Sequence, residues 1–505
     1  MATIFKYQLT LLIFLLLLWN IFMPIFEGAD EEGHFCSADY IAHKNKLPNL
    51  LINDGCFIWH PPLYYLYLSP FIRLFHTPQH TPFDVKENPK AFLLRKGQYA
   101  QYVHTKKEMT FRWNTLQLMV HVLRLLTSFF AVLIFIITWK AARNIFSEKL
   151  ARNLSLLLFF NPMFIHIFTT LTNVTLVSLI ATVVILIDLA HAKESKSLKV
   201  VFIQGLLIGF GYITKITILS LIPVWLILMI VEQHKFKYSL RLLIGKVSIF
   251  TIGFALSAGW YLARNLMLYG NILEVNALAK TYGASAHDLL LERVGLLNYL
   301  NSIALTLFKT FWSGYGYLTI RFPEFVNLPL LIVLLLIIYT IYVNYKKLNR
   351  ELTIALIYAV GVIGGLVIMN FRLSAMHAKD LFPAYMPLAL LFGYGLFHAK
   401  DTIKKGRLRF FTIVSLILGS YLFAQVEIVK LLKALFQFQW APVVPLLLAI
   451  AIKTVLVFAL VKIVVSFIGK AKFDPKSVVV LTYLIAIFDI FILFSSVYLL
   501  YKSFI

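Results

Sequence analysis

Long apolar runs separated by short polar loops make up most of this sequence. About thirteen of these runs carry almost no charge, and most approach the roughly 20 residues that an α-helix needs to cross a bilayer. The pattern predicts an all-α polytopic membrane protein. The predicted helices cover approximately residues 9–26, 116–139, 153–170, 173–192, 200–213, 216–232, 246–262, 326–344, 352–370, 381–398, 410–426, 442–462 and 478–500.

Composition supports the same class. Of the 505 residues, 60% are hydrophobic and 14% are charged, whereas soluble domains have about 45–50% apolar and about 25% charged residues. The net charge of +24 comes from Lys and Arg in the loops that connect the helices. Because no basic block with interleaved aromatic residues stands outside these loops, we expect contact with membrane lipids and not with nucleic acid.

The basic residues also predict the topology. Each loop after the second, fourth, sixth, eighth, tenth and twelfth predicted helix holds at least three Lys or Arg, which is typical of the cytoplasmic side. The first run lacks a small-x-small cleavage site, so we interpret it as a retained anchor whose N-terminus is cytoplasmic. The chain is then expected in the cytoplasmic (plasma) membrane, with loops 27–113, 264–323 and 372–379 together on the extracytoplasmic face.

The loop at 27–113 holds nine of the chain's 23 acidic residues and both cysteines. Its apolar segment at 58–75 is short and broken by prolines, so we expect a helix in the membrane interface, and the apolar piece at 299–311 suggests another. On an oxidising outer face, Cys36 and Cys56 are expected to form a disulfide. Two unpaired, partly buried thiols are the alternative.

Asp30, Glu31 and His34 follow directly on the outer end of the first helix. A carboxylate at the membrane surface is partly desolvated, so its pKa can rise, or a nearby cation can hold it ionised. Either state suits an acid or base in catalysis. The alternative is that these residues form a solvated acidic flank of a transmembrane helix.

Several cations are predicted to converge on the same face: Arg124, Lys215, Arg264, His377 and Lys379. Arg124 is predicted to lie about two turns inside its helix, where a charge is costly unless it faces a cavity or a partner. Such a set suits an anionic headgroup, for example a lipid phosphate. Each of these cations has an alternative as a side chain that anchors a helix end.

A divalent metal is a weaker possibility. Asp30, Glu31, His34 and His60 offer suitable ligand types, but they lack a helical His-x-x-x-His or Asp-x-Asp spacing. The sequence has no phosphate-cradling Gly-rich loop, no nucleophile elbow and no soluble nucleotide domain. A nucleotide-driven reaction is therefore not expected.

A series of motifs between positions 27 and about 400 resembles the polytopic glycosyltransferases of the GT-C superfamily. The protein O-mannosyltransferases, the aminoarabinose transferases of lipid A and a related uncharacterised bacterial membrane family show the same build. The matching motifs are Asp30-Glu31-x-x-His34, Tyr40-Ile41-x6-Leu47-Pro48, His60-Pro61-Pro62-Leu63-Tyr64-Tyr65, His121-x-x-Arg124, Thr214-Lys215, Gly259-Trp260-Tyr261-x2-Arg264-Asn265-x3-Tyr269-Gly270, Trp312-Ser313-Gly314-Tyr315-Gly316 and Leu381-Phe382-Pro383-Ala384.

The resemblance implies a GT-C-like catalytic module at 1–400, followed by further transmembrane helices at 401–505. It implies transfer of a sugar from a polyprenyl phosphate to an extracytoplasmic lipid, glycan or protein, with inversion at the anomeric carbon. Asp30 would be the base and Glu31 its partner, and Arg264 and Lys379 would hold the donor phosphate. The full set of implied substrate-binding residues is His34, His60, Tyr64, Arg124, Lys215, Arg264, Asn265, His377 and Lys379.

Two departures from the family pattern lie on the predicted outer face. Relatives often carry Asn-Asp where this chain has Asn173-Val174, and Gly-Arg-Tyr where it has Ala378-Lys379-Asp380. These departures concern donor-phosphate binding and substrate identity. Two other functional classes stay open, because the same outer charges suit them. One is a transporter or flippase for an anionic lipid or solute, and the other is a non-catalytic factor in envelope assembly.

Overall fold

The computed structural model describes residues 2–49, 60–80, 86, 88, 102–104, 108, 111–273, 294–315, 320–371, 377–404 and 475–502. These residues are almost entirely helical, and a β-bridge joins Tyr315 to Ile320. The predicted all-α polytopic architecture is confirmed.

Fifteen α-helices are numbered here in chain order within the described residues. Short 3₁₀ segments occupy Leu157–Phe160, Ile216–Ser220, Tyr345–Lys347 and Ala378–Ala384. The α-helices are α1 (Ala2–Phe22), α2 (Glu31–Lys44), α3 (Leu63–Arg73), α4 (Thr115–Ile145), α5 (Lys149–Leu156), α6 (Pro162–Phe168), α7 (Val174–Ala190), α8 (Leu198–Tyr212), α9 (Leu221–Phe236), α10 (Leu240–Tyr269), α11 (Leu296–Trp312), α12 (Glu324–Val343), α13 (Arg350–Asn370), α14 (385–404) and α15 (Pro475–Lys502).

Eight helical stretches of the described residues are long and apolar enough to cross a membrane. They are Ile4–Phe22, Thr115–Ile145, Ile216–Phe236, Leu240–Tyr269, Val326–Val343, Arg350–Asn370, Ala378–Lys404 and Ser477–Tyr498.

The other predicted spans differ from this set. The run predicted at 153–170 is bent by 61° between Phe160 and Pro162, where proline lacks the N–H that would continue the helix. The next two predicted runs are the shorter helices α7 and α8. The runs predicted at 410–426 and 442–462 lie outside the described residues, so the count of thirteen stays a prediction.

Both apolar segments predicted inside the long loops form helices, α3 and α11. Helix α2 was not predicted from the sequence; it begins at Glu31, directly after Asp30. Helices α2 and α3 pack against each other. Their buried residues, including Phe35, Tyr64 and Leu68, join the core around α1 and α4.

The 3₁₀ segment Ala378–Ala384 joins the two halves of the helix bundle. Phe382 packs in the core that contains α1, α2, α3 and α6. Ala378, Leu381 and Ala384 pack in a second core that is built mainly from α7 to α10 and α13. The segment contacts α7, α11 and α13, so polar side chains at its start lie where several helices meet.

Helices α8 and α10 approach each other through glycine. A Cβ added at Gly205 would lie 2.1 Å from the Phe250 carbonyl oxygen, and one added at Gly253 would lie 2.5 Å from that of Phe202. Both distances are far below van der Waals contact, and the atoms that would clash are backbone atoms. The two backbones pack as closely as small-residue helix pairs in membranes do.

We therefore expect Gly205→Ala to destabilise the protein although alanine favours helix. The added methyl must push α8 from α10, and such overpacking costs typically about 1–3 kcal/mol. Gly364→Ala in α13 is the matched control, because its Cβ would meet nothing within 4 Å. Thermal unfolding in detergent measures both; equal melting temperatures for the two variants would contradict the close packing.

Candidate functional site

Asp30 and Lys379 form an ion pair although they lie 349 positions apart in the sequence. The carboxylate Oδ2 of Asp30 lies 2.6 Å from Nζ of Lys379. Asp30 precedes α2 with a left-handed backbone, at φ 66°, a conformation that Asp tolerates better than most residues. Its side chain is 54% exposed, whereas that of Lys379 is 8% exposed. The pair therefore presents a reachable carboxylate over a buried ammonium.

The charge on Lys379 controls the protonation of Asp30. Its attraction holds the pKa of Asp30 well below the usual value, and this effect outweighs burial, which raises the pKa. The hydrogen bond from Lys379 acts in the same direction. Asp30 is therefore ionised at neutral pH while this lysine is its partner.

Two neutral histidines lie beside this pair. The rings of His34 and His60 stack at 5.4 Å with an interplanar angle of 11°. Nδ1 of His34 contacts the Tyr65 hydroxyl at 2.8 Å, and its buried Nε2 has no hydrogen-bond partner. Burial, followed by the charge of Lys379, lowers the pKa of His34 to about 3. Burial also lowers the pKa of His60 well below its usual value.

A second ion pair completes the group. Nζ of Lys215 lies 3.0 Å from Oδ1 of Asp380, and both side chains are buried. Lys215 precedes the 3₁₀ segment Ile216–Ser220. Nδ1 of His377 accepts a hydrogen bond from the Lys379 backbone N–H at 2.8 Å. The lysines and the aspartates therefore neutralise each other in two adjacent pairs.

We call this group the acid–lysine cluster. Six of its members were predicted from the sequence as site residues, and the seventh, Asp380, was missed. The only signal for Asp380 was its place in the departure at 378–380. The charges of these groups act on one another although they come from separate segments. The members are Asp30, His34, His60, Lys215, His377, Lys379 and Asp380.

Glu31 and Arg124 form a separate, fully buried pair. Nε and Nη2 of Arg124 each donate to one carboxylate oxygen of Glu31 at 2.7 Å, and both side chains are 0% exposed. The backbone N–H groups of Leu171 and Gly28 donate to the same carboxylate at 3.0 and 3.2 Å. The guanidinium also donates to the carbonyls of residues 23 and 24. Neither charged group faces solvent.

The structure places the remaining predicted site residues in other contacts. Nη2 of Arg264 donates to the Pro48 carbonyl at 2.7 Å. The side chain of Asn265 donates to the Ile272 carbonyl at 3.4 Å. The Tyr64 hydroxyl contacts Oγ1 of Thr127 and accepts from the backbone N–H of Thr172, at 3.0 and 3.1 Å. These contacts join segments of the chain to one another.

The described residues test the predicted disulfide and the predicted metal site only in part. Cys36 is disulfide-bonded, and Cys56, the chain's other cysteine, lies outside the described residues. Among those that are described, no three His, Cys, Asp or Glu side chains are grouped so that they could hold a metal ion.

A buried histidine between two carboxylates was also missed. His104 contacts Glu27 at 2.8 Å through Nε2 and Glu108 at 2.9 Å through Nδ1. Burial disfavours the charged imidazole, but the two carboxylates outweigh burial and raise its pKa to about 9. The three charges tie the acidic loop to the end of α1. His104 and Glu108 stand at i,i+4, a helical spacing that could have signalled their contact, whereas Glu27 lies 77 positions from His104 in the sequence.

A second cluster of buried charges lies at the opposite end of α7. Nζ of Lys246 lies 2.5 Å from Oε1 of Glu232, and Lys196 contacts both Asp188 and Glu232. All four side chains are at most 6% exposed. These carboxylates are enclosed, unlike Asp30, so the acid–lysine cluster is the better candidate for chemistry.

The sequence matches a model of the family described as dolichyl-phosphate-mannose-protein mannosyltransferase over residues 119–260. No curated protein matches the chain.

Solved structures extend the comparison to most of the chain. The fold is similar to that of ArnT from Cupriavidus metallidurans bound to undecaprenyl phosphate, with a TM-score of 0.50, 12% identity, and coverage of 96% of this chain and 76% of that chain. The same ArnT in the apo state matches with a TM-score of 0.49, 12% identity, and 97% and 77% coverage. The oligosaccharyltransferase of Archaeoglobus fulgidus matches with a TM-score of 0.39, 13% identity, and 93% and 56% coverage.

The family match begins at Met119 in α4 and ends at Trp260 in α10. It therefore includes Arg124, the partner of Glu31, and Lys215, the partner of Asp380. The match to undecaprenyl-phosphate-bound ArnT concerns the fold of nearly the whole chain. The resemblance first noted from the motifs is thus confirmed: this chain resembles the GT-C membrane glycosyltransferases in both sequence and fold.

Proposed function

We propose that this protein moves a sugar from a polyprenyl-phosphate donor to an acceptor on the extracytoplasmic side of the cytoplasmic membrane. The acceptor is a lipid, a glycan or a protein. The observation that carries the proposal is the Asp30–Lys379 pair, in which an accessible carboxylate and a buried ammonium lie 2.6 Å apart. The family match and the ArnT-like fold support the same class of reaction.

The pair contains the two charges that such a transfer needs. A base must accept the proton of the acceptor hydroxyl, and a cation must stabilise the leaving phosphate. In our proposal Asp30 is the base, and Lys379 with Lys215 holds the phosphate. The charge of Lys379 disfavours that of Lys215. The phosphate, a monoanionic diester in the donor that gains a second negative charge as it leaves, relieves that repulsion.

Binding of the donor would also activate the base. While Lys379 contacts Asp30, the carboxylate is a weak base because its pKa is low. A donor phosphate that draws Lys379 away removes this attraction, and burial then raises the pKa of Asp30. Asp30 becomes more basic only when the donor is in place, which disfavours activation of an acceptor without a sugar to transfer.

The transfer itself is a single displacement. The acceptor oxygen forms a bond to the anomeric carbon as its proton passes to Asp30. The bond from that carbon to the phosphate oxygen breaks, and the phosphate leaves with the electron pair beside the lysines. One displacement inverts the anomeric carbon. Neutral His34 and His60 would position the acceptor. The buried Nε2 of His34 has no hydrogen-bond partner within the protein and can accept or donate one hydrogen bond, according to the tautomer.

Glu31 takes a different part in this proposal from the one expected of a second catalytic acid. Its carboxylate accepts four hydrogen bonds and is fully buried, so it has no free lone pair for a substrate proton. We assign Glu31 and Arg124 as positioning residues that hold the start of α2, and with it Asp30, against α4.

We expect Asp30→Asn to lower transfer by about 10²–10⁴-fold, because the amide keeps the shape of the side chain but cannot accept the proton. The assay follows release of polyprenyl phosphate from a panel of polyprenyl-phosphate hexoses, pentoses and aminosugars, with mass spectrometry of cellular glycolipids and glycoproteins. Asp401→Asn, at an exposed position in α14, is the control. Full activity of the Asp30 variant would eliminate this residue as the base.

We expect Lys379→Met to move the acid limb of the kcat/KM–pH profile to higher pH. The lysine holds the pKa of Asp30 low, so its loss lets the pKa rise to the usual carboxyl value of about 4 or above. The basic form exists only above that pKa, and activity is therefore lost at a higher pH than in the wild type. The KM for the donor rises as well, because a phosphate ligand is gone.

Lys199→Met, at an exposed position in α8, is the matched control and should leave both quantities unchanged. An acid limb that stays in place in the Lys379 variant would show that this lysine does not set the protonation of the base.

A further inference from the structure

A cavity of about 220 Å³ lies between the ends of α1 and α15 and the start of α4. Phe22, Phe111, Trp113, Phe494 and Val497 give it apolar walls. The Phe22 ring meets those of Phe111 and Phe494 edge-on, with centroids 5.4 and 5.1 Å apart. The proposed transfer reaction makes no use of this cavity.

The position of the cavity suits a lipid chain. Phe22 ends one candidate span, and Phe494 and Val497 stand near the end of another, so the cavity lies at the edge of the apolar zone. Phe111 and Phe494 are 49% and 44% exposed and therefore form a rim that hydrocarbon can reach. An apolar cavity of about 150 Å³ accommodates benzene, so this one has room for several methylene groups.

One polar atom in the wall has no partner. His121 is 4% exposed and lines the cavity, and Trp113 stacks on its ring at 4.1 Å. Its Nε2 makes no hydrogen bond. Glu108 also lines the wall, but its carboxylate already accepts from His104 and from the backbone N–H of Ile25.

The contacts of His121 with Asn20 determine what Nε2 can bind. The side-chain nitrogen of Asn20 donates to the His121 carbonyl at 3.1 Å, so its oxygen is the atom that faces Nδ1, also at 3.1 Å. Nδ1 must therefore carry the proton, and Nε2 of the neutral ring is an acceptor. A ligand that satisfies it must bring an N–H or O–H donor into an otherwise apolar cavity.

We propose that this cavity binds one acyl chain of a membrane lipid, and that an amide N–H or hydroxyl at the base of that chain donates to Nε2 of His121. The tail of a polyprenyl phosphate has no donor along its hydrocarbon and does not meet this requirement. This lipid site is independent of the proposed transfer reaction. The cavity is nevertheless close to the residues that position Asp30, because Arg124, the partner of Glu31, donates to the carbonyls of Met23 and Pro24 in the cavity wall.

Photo-crosslinking of the full chain in phosphatidylcholine nanodiscs tests the proposal. Three probes carry a diazirine in the chain: a ceramide, which has amide and hydroxyl donors; a phosphatidylcholine, which has only esters; and a farnesyl phosphate. We expect the ceramide to label residues 21–24, 111–113 or 494–497 about fivefold more than the phosphatidylcholine, as one lost hydrogen bond would give. Peptide mapping by mass spectrometry locates the adducts.

Two variants and one control variant sharpen the test. His121→Phe keeps a ring under Trp113 but removes the acceptor, so the preference for ceramide should disappear. Val497→Trp fills the cavity and should abolish labelling by every probe, whereas Val480→Trp, at an exposed position on the same helix, should not. Monodisperse elution and unchanged thermal unfolding show that each variant is folded.

The wild-type comparison is decisive even where a variant fails to fold. Equal labelling by ceramide and phosphatidylcholine would refute the hydrogen bond to His121. Strongest labelling by farnesyl phosphate would identify a prenyl chain as the occupant, and no labelling at these positions would show that the cavity does not hold lipid. Each of these three results overturns the proposal.

Discussion

The buried ion pair of Glu31 and Arg124 is the interaction on which the geometry of the candidate site depends. It joins α2, α4, the end of α1 and the turn before α7 through six hydrogen bonds, none of which reaches solvent. Replacing such a pair by apolar residues can be neutral, but removing one partner leaves a buried charge and costs about 3–5 kcal/mol. Because Asp30 is the neighbour of Glu31 in the chain, this pair also fixes where the exposed carboxylate stands.

Asp30 and Lys379 differ from that pair in one respect that matters for function. Both pairs have short contacts, but the carboxylate of Asp30 remains 54% exposed, whereas that of Glu31 is enclosed. An enclosed carboxylate with all its hydrogen bonds made inside the protein holds the surrounding helices in one arrangement. A solvent-exposed carboxylate that pairs with a buried lysine can instead exchange that lysine for a ligand. The cluster at the far end of α7, around Asp188 and Glu232, belongs to the enclosed kind.

The sequence was sufficient for the class of fold and for much of the site. Apolar runs of membrane-spanning length can hardly adopt another structure, since lipid leaves backbone groups unsatisfied in anything but a helix or a closed barrel. Six residues of the acid–lysine cluster were also foreseen. Asp30 was predicted as a partly desolvated carboxylate at the membrane surface, and Lys215 and Lys379 as cations on the same face that suit a lipid phosphate.

Tertiary structure alone decided which charge meets which. Glu31 and Arg124 were assigned to opposite sides of a substrate, yet they bind each other, and Arg264 binds the Pro48 carbonyl instead of joining the cluster. Asp380 and the histidine between Glu27 and Glu108 went unnoticed. Hydrophobic periodicity shows which face of a segment contacts lipid or the protein core, and it depends only on the sequence of that segment. Pairing between segments that are distant in the sequence depends on how the helices pack, and no local pattern encodes it.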